Sequence, residues 1–296
     1  MAEKQLTFAL FGNTFQEKKA TAVQKLLAVL ERYEATIAVE QSFHEFLTDK
    51  LQIHVPACRL ISDNDFVADF VVCMWGDGTF LDVASRVGNK QMPIIGFNMG
   101  HLGFLASFTA DEIEQVIQSI YSGGYQTVDH SVLQLVSDEN VIEGYPFALN
   151  EIPILKHDIS SMIKIHTHIN GEYLTTYQAD GLIVGTPTGS TAYSLSVGGP
   201  IVVPQSQTMT LTPVAPHSLN MRPLVLCDDA EVSLVVESRS HHFLVSVDGR
   251  SQSYDEGIHL HIRRAPYTVK VVTRQGQSYF TTLCRKMMWG ADRRNV

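Results

Sequence analysis

The chain opens on a short apolar run, Leu6–Phe11, that stops at Gly12-Asn13. An apolar run this short, bounded by turn formers, predicts a buried strand. The period then changes. Ala20, Val23, Leu27 and Leu30 fall on one helical face, with Lys, Glu and Arg elsewhere. Ile37–Val39 predicts a second strand, and Ser42 an N-cap, with Glu45 completing a capping box. Phe70–Met74 is apolar throughout, as a strand covered on both faces should be. It runs into Trp75-Gly76-Asp77-Gly78-Thr79, after which Phe80, Val83, Ala84 and Val87 restore helical spacing. Met92–Phe97 predicts the next strand. Thr109–Tyr121 predicts the next helix, capped by Thr109 with Glu112 three residues on. This alternation predicts an α/β N-terminal domain, an open parallel sheet covered by helices.

Past Gly123-Gly124 the pattern is almost wholly that of strands. Ser131–Val136 and Phe147–Leu155 are apolar-rich runs. Met162–Ile169 and Tyr173–Tyr177 flank Asn170-Gly171, a pair suited to a type I′ hairpin turn. Val225–Val236, Phe243–Val247, Ile258–Ile262 and Thr268–Val272 continue the pattern. The second half is therefore expected to be an all-β, sandwich-like C-terminal domain of stacked sheets. The expected division is 1–122 for the α/β domain and 123–275 for the β-rich one, with 276–296 returning to the first.

A chain of 296 residues with 45% apolar residues can bury two ordinary cores. The net charge of −9 argues against a general nucleic-acid binder, while leaving room for a local small-anion site. No apolar run approaches the ~18 residues of a membrane span, and Leu6–Phe11 is too short for a signal-peptide core. Cys58, Cys73, Cys227 and Cys284 show no C-x-x-C spacing. The first three sit in apolar runs, which predicts buried, reduced thiols and a cytoplasmic protein.

Three glycine-rich segments could carry chemistry. Gly76-Asp77-Gly78-Thr79 ends a strand and opens a helix, the place where open α/β sheets bind ligands. Its glycines admit close backbone approach, and the helix N-terminus offers N–H groups to phosphate. Asp77 would repel a cradled anion. It makes sense as acceptor of a proton from an attacking hydroxyl, as a contact to a nucleotide's metal ion, or as a plain helix cap. The second segment, Gly96–Phe104, also follows a strand and is either a ligand-covering loop or a plain one. The third runs from Asp180 to Ser196, with Gly198-Gly199-Pro200 behind it. Its hydroxyls suit a polar ligand, and Tyr193 could stack on a base. No P-loop and no Rossmann fingerprint is present. His166 with His168, and His259 with His261, share strand faces but lack an evident third metal ligand.

Taken together the segments resemble the NAD kinase family, in order and in spacing: Gly76–Thr79, Asn98–Phe104, Asn150-Glu151, Thr186–Tyr193, Ala215-Pro216-His217 and the tail Lys286–Gly290. The resemblance covers about residues 70–290. It implies transfer of the γ-phosphoryl of ATP to the adenosine ribose 2′-hydroxyl of NAD, giving NADP. It implies a divalent ion, magnesium, carried with ATP, and a homodimer or homotetramer with active sites near subunit contacts. Asp77 matches the family's catalytic base, and Gly76, Gly78 and Thr79 its phosphate loop. Asn150 and Glu151 match NAD contacts near the adenosine. Thr191, Ala192 and Tyr193 match the adenine pocket, which Ser194, Leu195 and Ser196 continue. Asp180 matches an acidic contact toward the nicotinamide end. Gly78, Asp82, Phe104, Thr188 and Ala215 fall at further NAD positions.

The sequence departs from the family pattern at four places. Trp75 replaces the first glycine of the phosphate motif, Asp82 and Gln178 stand where basic residues occur, and Arg250 where Gln or Asn is common. A lipid kinase shares the Gly-Asp-Gly-Thr loop but not the block at 180–196. A catalytically silent NAD(P) sensor would share both, with Trp75 as its one hint.

Overall fold

A computed structural model describes residues 5–14, 20–100, 103–139, 141–159, 161–276 and 278–289. The expected loop residues His101 and Leu102, and Gly290 of the tail, fall outside the described residues. The chain divides into two compact units, Met1–Asp129 with Val269–Val296, and His130–Thr268.

In chain order the first unit contains β1 (Thr7–Gly12), α1 (Ala20–Arg32), β2 (Thr36–Glu40), α2 (Gln41–Glu45), β3 (Cys58–Ile61), β4 (Phe70–Met74), α3 (Asp77–Val87), β5 (Ile94–Asn98), β6 (Phe108–Thr109) and α4 (Ile113–Tyr121). The strands pair in parallel in the order β5-β4-β1-β2-β3. The chain moves outward from β1 in one direction through β3, then restarts beside β1 with β4. That reversal is the topological switch point of the sheet, the position where open α/β sheets take ligands. Helix α1 buries Val23, Leu26, Leu27 and Leu30 against a core that includes Phe8, Leu10, Val39, Phe70 and Ile117. Each such fully buried side chain is worth roughly 1.5–3 kcal/mol.

The second unit follows as β7 (Tyr125–Ser137), β8 (Phe147–Ala148), β9 (Glu151–Lys156), β10 (Ile163–Ile169), β11 (Glu172–Ala179), β12 (Gly181–Gly185), α5 (Tyr193–Ser196), β13 (Thr208–Val214), β14 (Leu224–Cys227), β15 (Val232–Glu237), β16 (His242–Val247), β17 (Arg250–Asp255) and β18 (His259–Arg274). Strands β7 and β18 each run across a chain boundary between the units. Helix α6 (Tyr279–Met287) lies in the C-terminal segment assigned to the first unit. One sheet of the second unit is antiparallel, in the order β14-β13-β12-β9-β16-β17. Another face is built by β11, β10, β15 and the start of β18, also antiparallel. Alternate residues of both, among them Ile152, Ile154, Ile165, Leu182, Val184, Leu234 and Phe243, make one core. Asn170 and Gly171 both have positive φ (52° and 83°), as a type I′ turn requires.

Several expectations need correction. Ser42 does not cap α2. The Glu40 carboxylate does, accepting from the Phe43 N–H at 2.8 Å and from the Ser42 hydroxyl at 2.7 Å. A carboxylate is a stronger acceptor than a hydroxyl and favours the positive helix end. Glu45 instead accepts from Gln41. Thr109 and Glu112 do form the expected box, though over a 3₁₀ turn ahead of α4. The run Val225–Val236 is two strands in different sheets, broken where Asp228–Glu231 turns. Ile258–Ile262 and Thr268–Val272 fall on one strand, β18 from His259 on, although burial changes phase at the exposed pair Arg263-Arg264, because its start pairs with β15 and its later part with β5. Cys227 is exposed, since β14 is an edge strand with alternating burial, and Cys58 is half-buried. Cys73 is buried, and all four thiols are free.

Candidate functional site

The first unit's site grows from the end of β4. Trp75 and Gly76 take φ of +108° and +104° before α3 begins at Asp77. Such a φ is rare for a bulky L residue. The Trp75 ring meets Phe43 edge-on at 5.4 Å. A Cβ on Gly12 would stand 2.5 Å from Phe43 and 2.6 Å from the Trp75 ring, so glycine at position 12 makes room for tryptophan at 75.

Asp77 is held by the loop after β5. Its Oδ2 accepts from the Phe104 N–H at 2.9 Å. Its Oδ1 accepts from Leu105 at 3.2 Å and Ala106 at 2.9 Å. Gly103 has a packing reason: a Cβ there would lie 2.1 Å from Asp77 Oδ1. Asn98 Oδ1 caps the start of the same loop by accepting from Gly100 at 2.8 Å. The Lys286 ammonium of α6 lies 3.9 Å from Asp77 Oδ2 and 4.3 Å from the Phe104 ring centre.

A cleft of about 330 Å³ opens at the switch point, lined by Gly12–Thr14 after β1 and by Gly78, Thr79, Asp82 and Arg86 of α3. Nothing stands within 4 Å of a Cβ built on Gly78, so the protein's own packing does not demand glycine there. The first N–H groups of a helix have no intrahelical acceptor and are free for an anion. Arg86 is engaged by Asn64, the Asp63 carbonyl and Glu40.

In the second unit the pairing of β9 with β12 sets Glu151 opposite Gly185. That register brings the loop after β12 onto Asn150. Thr186 donates its N–H to the Asn150 carbonyl at 2.8 Å and its hydroxyl to the Leu149 carbonyl at 2.6 Å. A Cβ on Gly189 would lie 2.1 Å from the Asn150 oxygen, which fixes glycine there. Glu151 Oε1 accepts from the Tyr193 N–H at 3.1 Å, while Oε2 is buried without a hydrogen-bond partner. Burial pushes the Glu151 carboxyl up to about 7, against hydrogen bonds from Tyr193 and Ser194 that pull it down. Thr188 Oγ1 sits 2.8 Å from His130 Nδ1, and Ser194 Oγ 2.8 Å from Thr212 Oγ1. Asn150, Glu151, Thr188, Thr191, Ala192, Tyr193, Ser194, Leu195 and Ser196 thus gather at one end of β12.

Asp180 and Ala215 do not join them. They sit beside each other at the opposite end of β12, next to the Gly181–Val214 pair. The strand between spans roughly 13 Å. Asp180 is bridged to Lys156 at 2.7 Å, and Ala215 has a positive φ of 44°.

Two contributors escaped the sequence reading. Asp248, in the β16–β17 turn, accepts the N–H groups of Leu149 (2.6 Å), Asn150 (2.9 Å) and Glu151 (3.1 Å). These bonds replace ladder pairing, which is why the run Phe147–Leu155 breaks into β8 and β9. Burial raises the Asp248 carboxyl, with the three bonds opposing. The Asp248-Gly249 dipeptide between two strand runs was the available signal. Lys286 was noted only as part of a tail. The paired histidines go elsewhere: His166 to Thr176 and Glu237, and His261 to Ser233 and Asp138. Among the described residues no three His, Cys, Asp or Glu side chains converge as a metal site.

Comparison with known proteins follows the same two parts. The sequence model described as the ATP-NAD kinase N-terminal domain matches residues 8–125, and the C-terminal domain model matches residues 149–274. A curated NAD kinase of Bacteroides fragilis is 56% identical over 289 residues, covering 98% of this chain and 100% of its own. One from Porphyromonas gingivalis is 40% identical over 283 residues, covering 96% and 98%. Among solved structures, yeast NADH kinase complexed with NADH gives a TM-score of 0.89 at 25% identity, over 99% of this chain and 90% of that one. An NAD kinase from Archaeoglobus fulgidus in complex with ATP shares the fold, with a TM-score of 0.73 at 22% identity over 96% and 99%.

Proposed function

We infer the roles of these residues from one premise: the chain belongs to the NAD kinase family. It is an enzyme that phosphorylates NAD to NADP with ATP as donor. We propose that Asp77 takes the proton of the adenosine ribose 2′-hydroxyl as the γ-phosphoryl group transfers. The observation that carries this is the Asp77 carboxylate at the start of α3, fixed by three N–H groups of residues 104–106. An alcohol is a weak nucleophile at neutral pH, and a fixed carboxylate gives its proton a destination. A fixed orientation also lowers the entropy cost of reaching the reactive geometry.

The ATP phosphates are proposed to lie over Gly76, Gly78 and Thr79, where the cleft and the α3 N-terminus offer N–H donors. Magnesium enters as part of the ATP substrate and neutralises charge on its phosphates. Trp75 turns its ring toward Phe43 and Gly12, which supports a phosphate loop that tolerates tryptophan.

NAD is proposed to contact Asp77, Gly78, Asp82 and Phe104 of the first unit. In the second unit it contacts Asn150 and Glu151, with Thr188 and Thr191–Ser196 forming the adenine wall. Asp180 and Ala215 are proposed as contacts at the other end of β12, and the working form as a homodimer or homotetramer. The cytoplasm is the proposed location, and no helix among the described residues is long and apolar enough to cross a membrane.

The test is an NADP-specific coupled assay with ATP, magnesium and NAD. Wild type is expected to form NADP, and Asp77→Asn to lose ~10²-fold or more in kcat. Equal rates in both would reduce Asp77 to a positioning role.

A further inference from the structure

In phosphoryl transfer, negative charge spreads over the three outer oxygens of the group in flight, and catalysis depends on positive charge held against them. The motif Gly76–Thr79 carries no cation, and the next charge along α3 is Asp82. Arg86 lines the cleft but is turned away. Its Nε donates to Asn64 Oδ1 at 3.0 Å, one terminal nitrogen to the Asp63 carbonyl at 3.1 Å, and the other faces Glu40 at 3.3 Å.

Lys286 is differently placed. Its ammonium stands 4.3 Å from the Phe104 ring centre, a cation–π distance that holds the side chain over the loop. It stands 3.9 Å from Asp77 Oδ2, too far for a hydrogen bond. Among the described residues none accepts a hydrogen bond from its three N–H donors. The two oxygens of Asp77 also differ. Among the described residues Oδ1 accepts two backbone N–H groups and Oδ2 one. A carboxylate oxygen has about two acceptor positions, so the open one is on Oδ2, the oxygen that faces Lys286.

We propose that Lys286 is a catalytic residue whose ammonium contacts the oxygens of the transferring γ-phosphoryl group. This rests on the reading of Asp77 as the proton acceptor. In the step, the ribose 2′-oxygen bonds to the γ-phosphorus as the bond to the β,γ-bridging oxygen breaks. ADP leaves with that electron pair, and the hydroxyl proton passes to Asp77 Oδ2. Lys286 remains protonated throughout and donates N–H bonds to the γ-oxygens. Proton acceptor and charge acceptor then sit side by side, as the attacked phosphorus and its nucleophile require. The position on the last turn of α6 suits a cation, because the helix C-terminus is negative.

The experiment compares wild type, Asp77→Asn, Lys286→Met and Lys286→Arg as full chains in steady-state kinetics with magnesium–ATP and NAD, alongside thermal midpoints. Lys286→Met is expected to lower kcat by ~10²-fold with KM for NAD changed by less than about threefold. Lys286→Arg is expected to keep kcat within about tenfold, because it keeps the charge. Lys286→Met at wild-type kcat beside a slow Asp77→Asn would overturn this proposal alone. Asp77→Asn at wild-type kcat would remove its premise and overturn both. Equal loss in Lys286→Met and Lys286→Arg, matched by a fall in thermal midpoint, would make the residue structural and also overturn it.

Discussion

Two carboxylates each gather three consecutive backbone N–H groups among the described residues: Asp77 those of 104–106, and Asp248 those of 149–151. Each fixes a loop that the family resemblance assigns to NAD. Glu151 is the contrasting residue, a buried carboxyl with one oxygen left unpartnered. Its value near 7 stands above the ordinary 4.5. A group raised on folding adds stability that is fully present below the unfolded value. That stability is lost as pH rises through the folded one. The window is therefore about pH 4.5 to 7, and the amount roughly 3 kcal/mol. Glu151→Gln, which carries no titrating proton, is expected to match wild type in urea unfolding near pH 5. At pH 8 it is expected to be more stable than wild type. Equal midpoints at pH 8 would show that Glu151 keeps an ordinary carboxyl.

At the scale of elements, the β16–β17 hairpin acts as a clamp on the neck between β8 and β9. Asp248→Ala would leave three N–H groups without their acceptor, two of them on residues proposed to touch NAD. A loss of roughly 3 kcal/mol in unfolding free energy is expected, with a raised KM for NAD. Denaturant titration and initial rates check it, and an unchanged KM would confine the hairpin to stability. Most elements were legible from periodicity: Phe70–Met74 is β4 residue for residue, and α1 and α4 follow their apolar stripes. The failures share a cause. Where a side chain supplies the hydrogen bond, as Glu40 does at α2 and Asp248 does at β9, local pattern does not show it. The continuity of β18 and the split of Val225–Val236 were set by which sheet receives each segment, a tertiary choice. In the site, Asp77 and the 186–196 loop were readable as motifs. Lys286 and Asp248 were not, since each acts across a long stretch of sequence.

At the scale of the whole molecule, the candidate NAD contacts of the second unit lie at both ends of β12. The family resemblance implies active sites near subunit contacts, and in the proposed dimer Asp180 would serve the site of the other copy. If Asp77→Asn and Asp180→Ala are each strongly impaired alone, mixing them is then expected to restore about a quarter of wild-type activity after subunit exchange in a dimer. A mixture that stays inactive would return Asp180 to the site of its own chain.

The first unit is discontinuous in sequence, and that orders events during synthesis. A ribosome delivers β1 to α4 early, but Val269 onward comes only after the entire second unit has been made. In the early segment β6 already pairs with β5 at Phe97 and Asn98, but Ile94 must wait for its strand partner, Val271. The nascent chain thus closes its first unit last, and Lys286 reaches Asp77 only when translation of all the intervening β-structure is over.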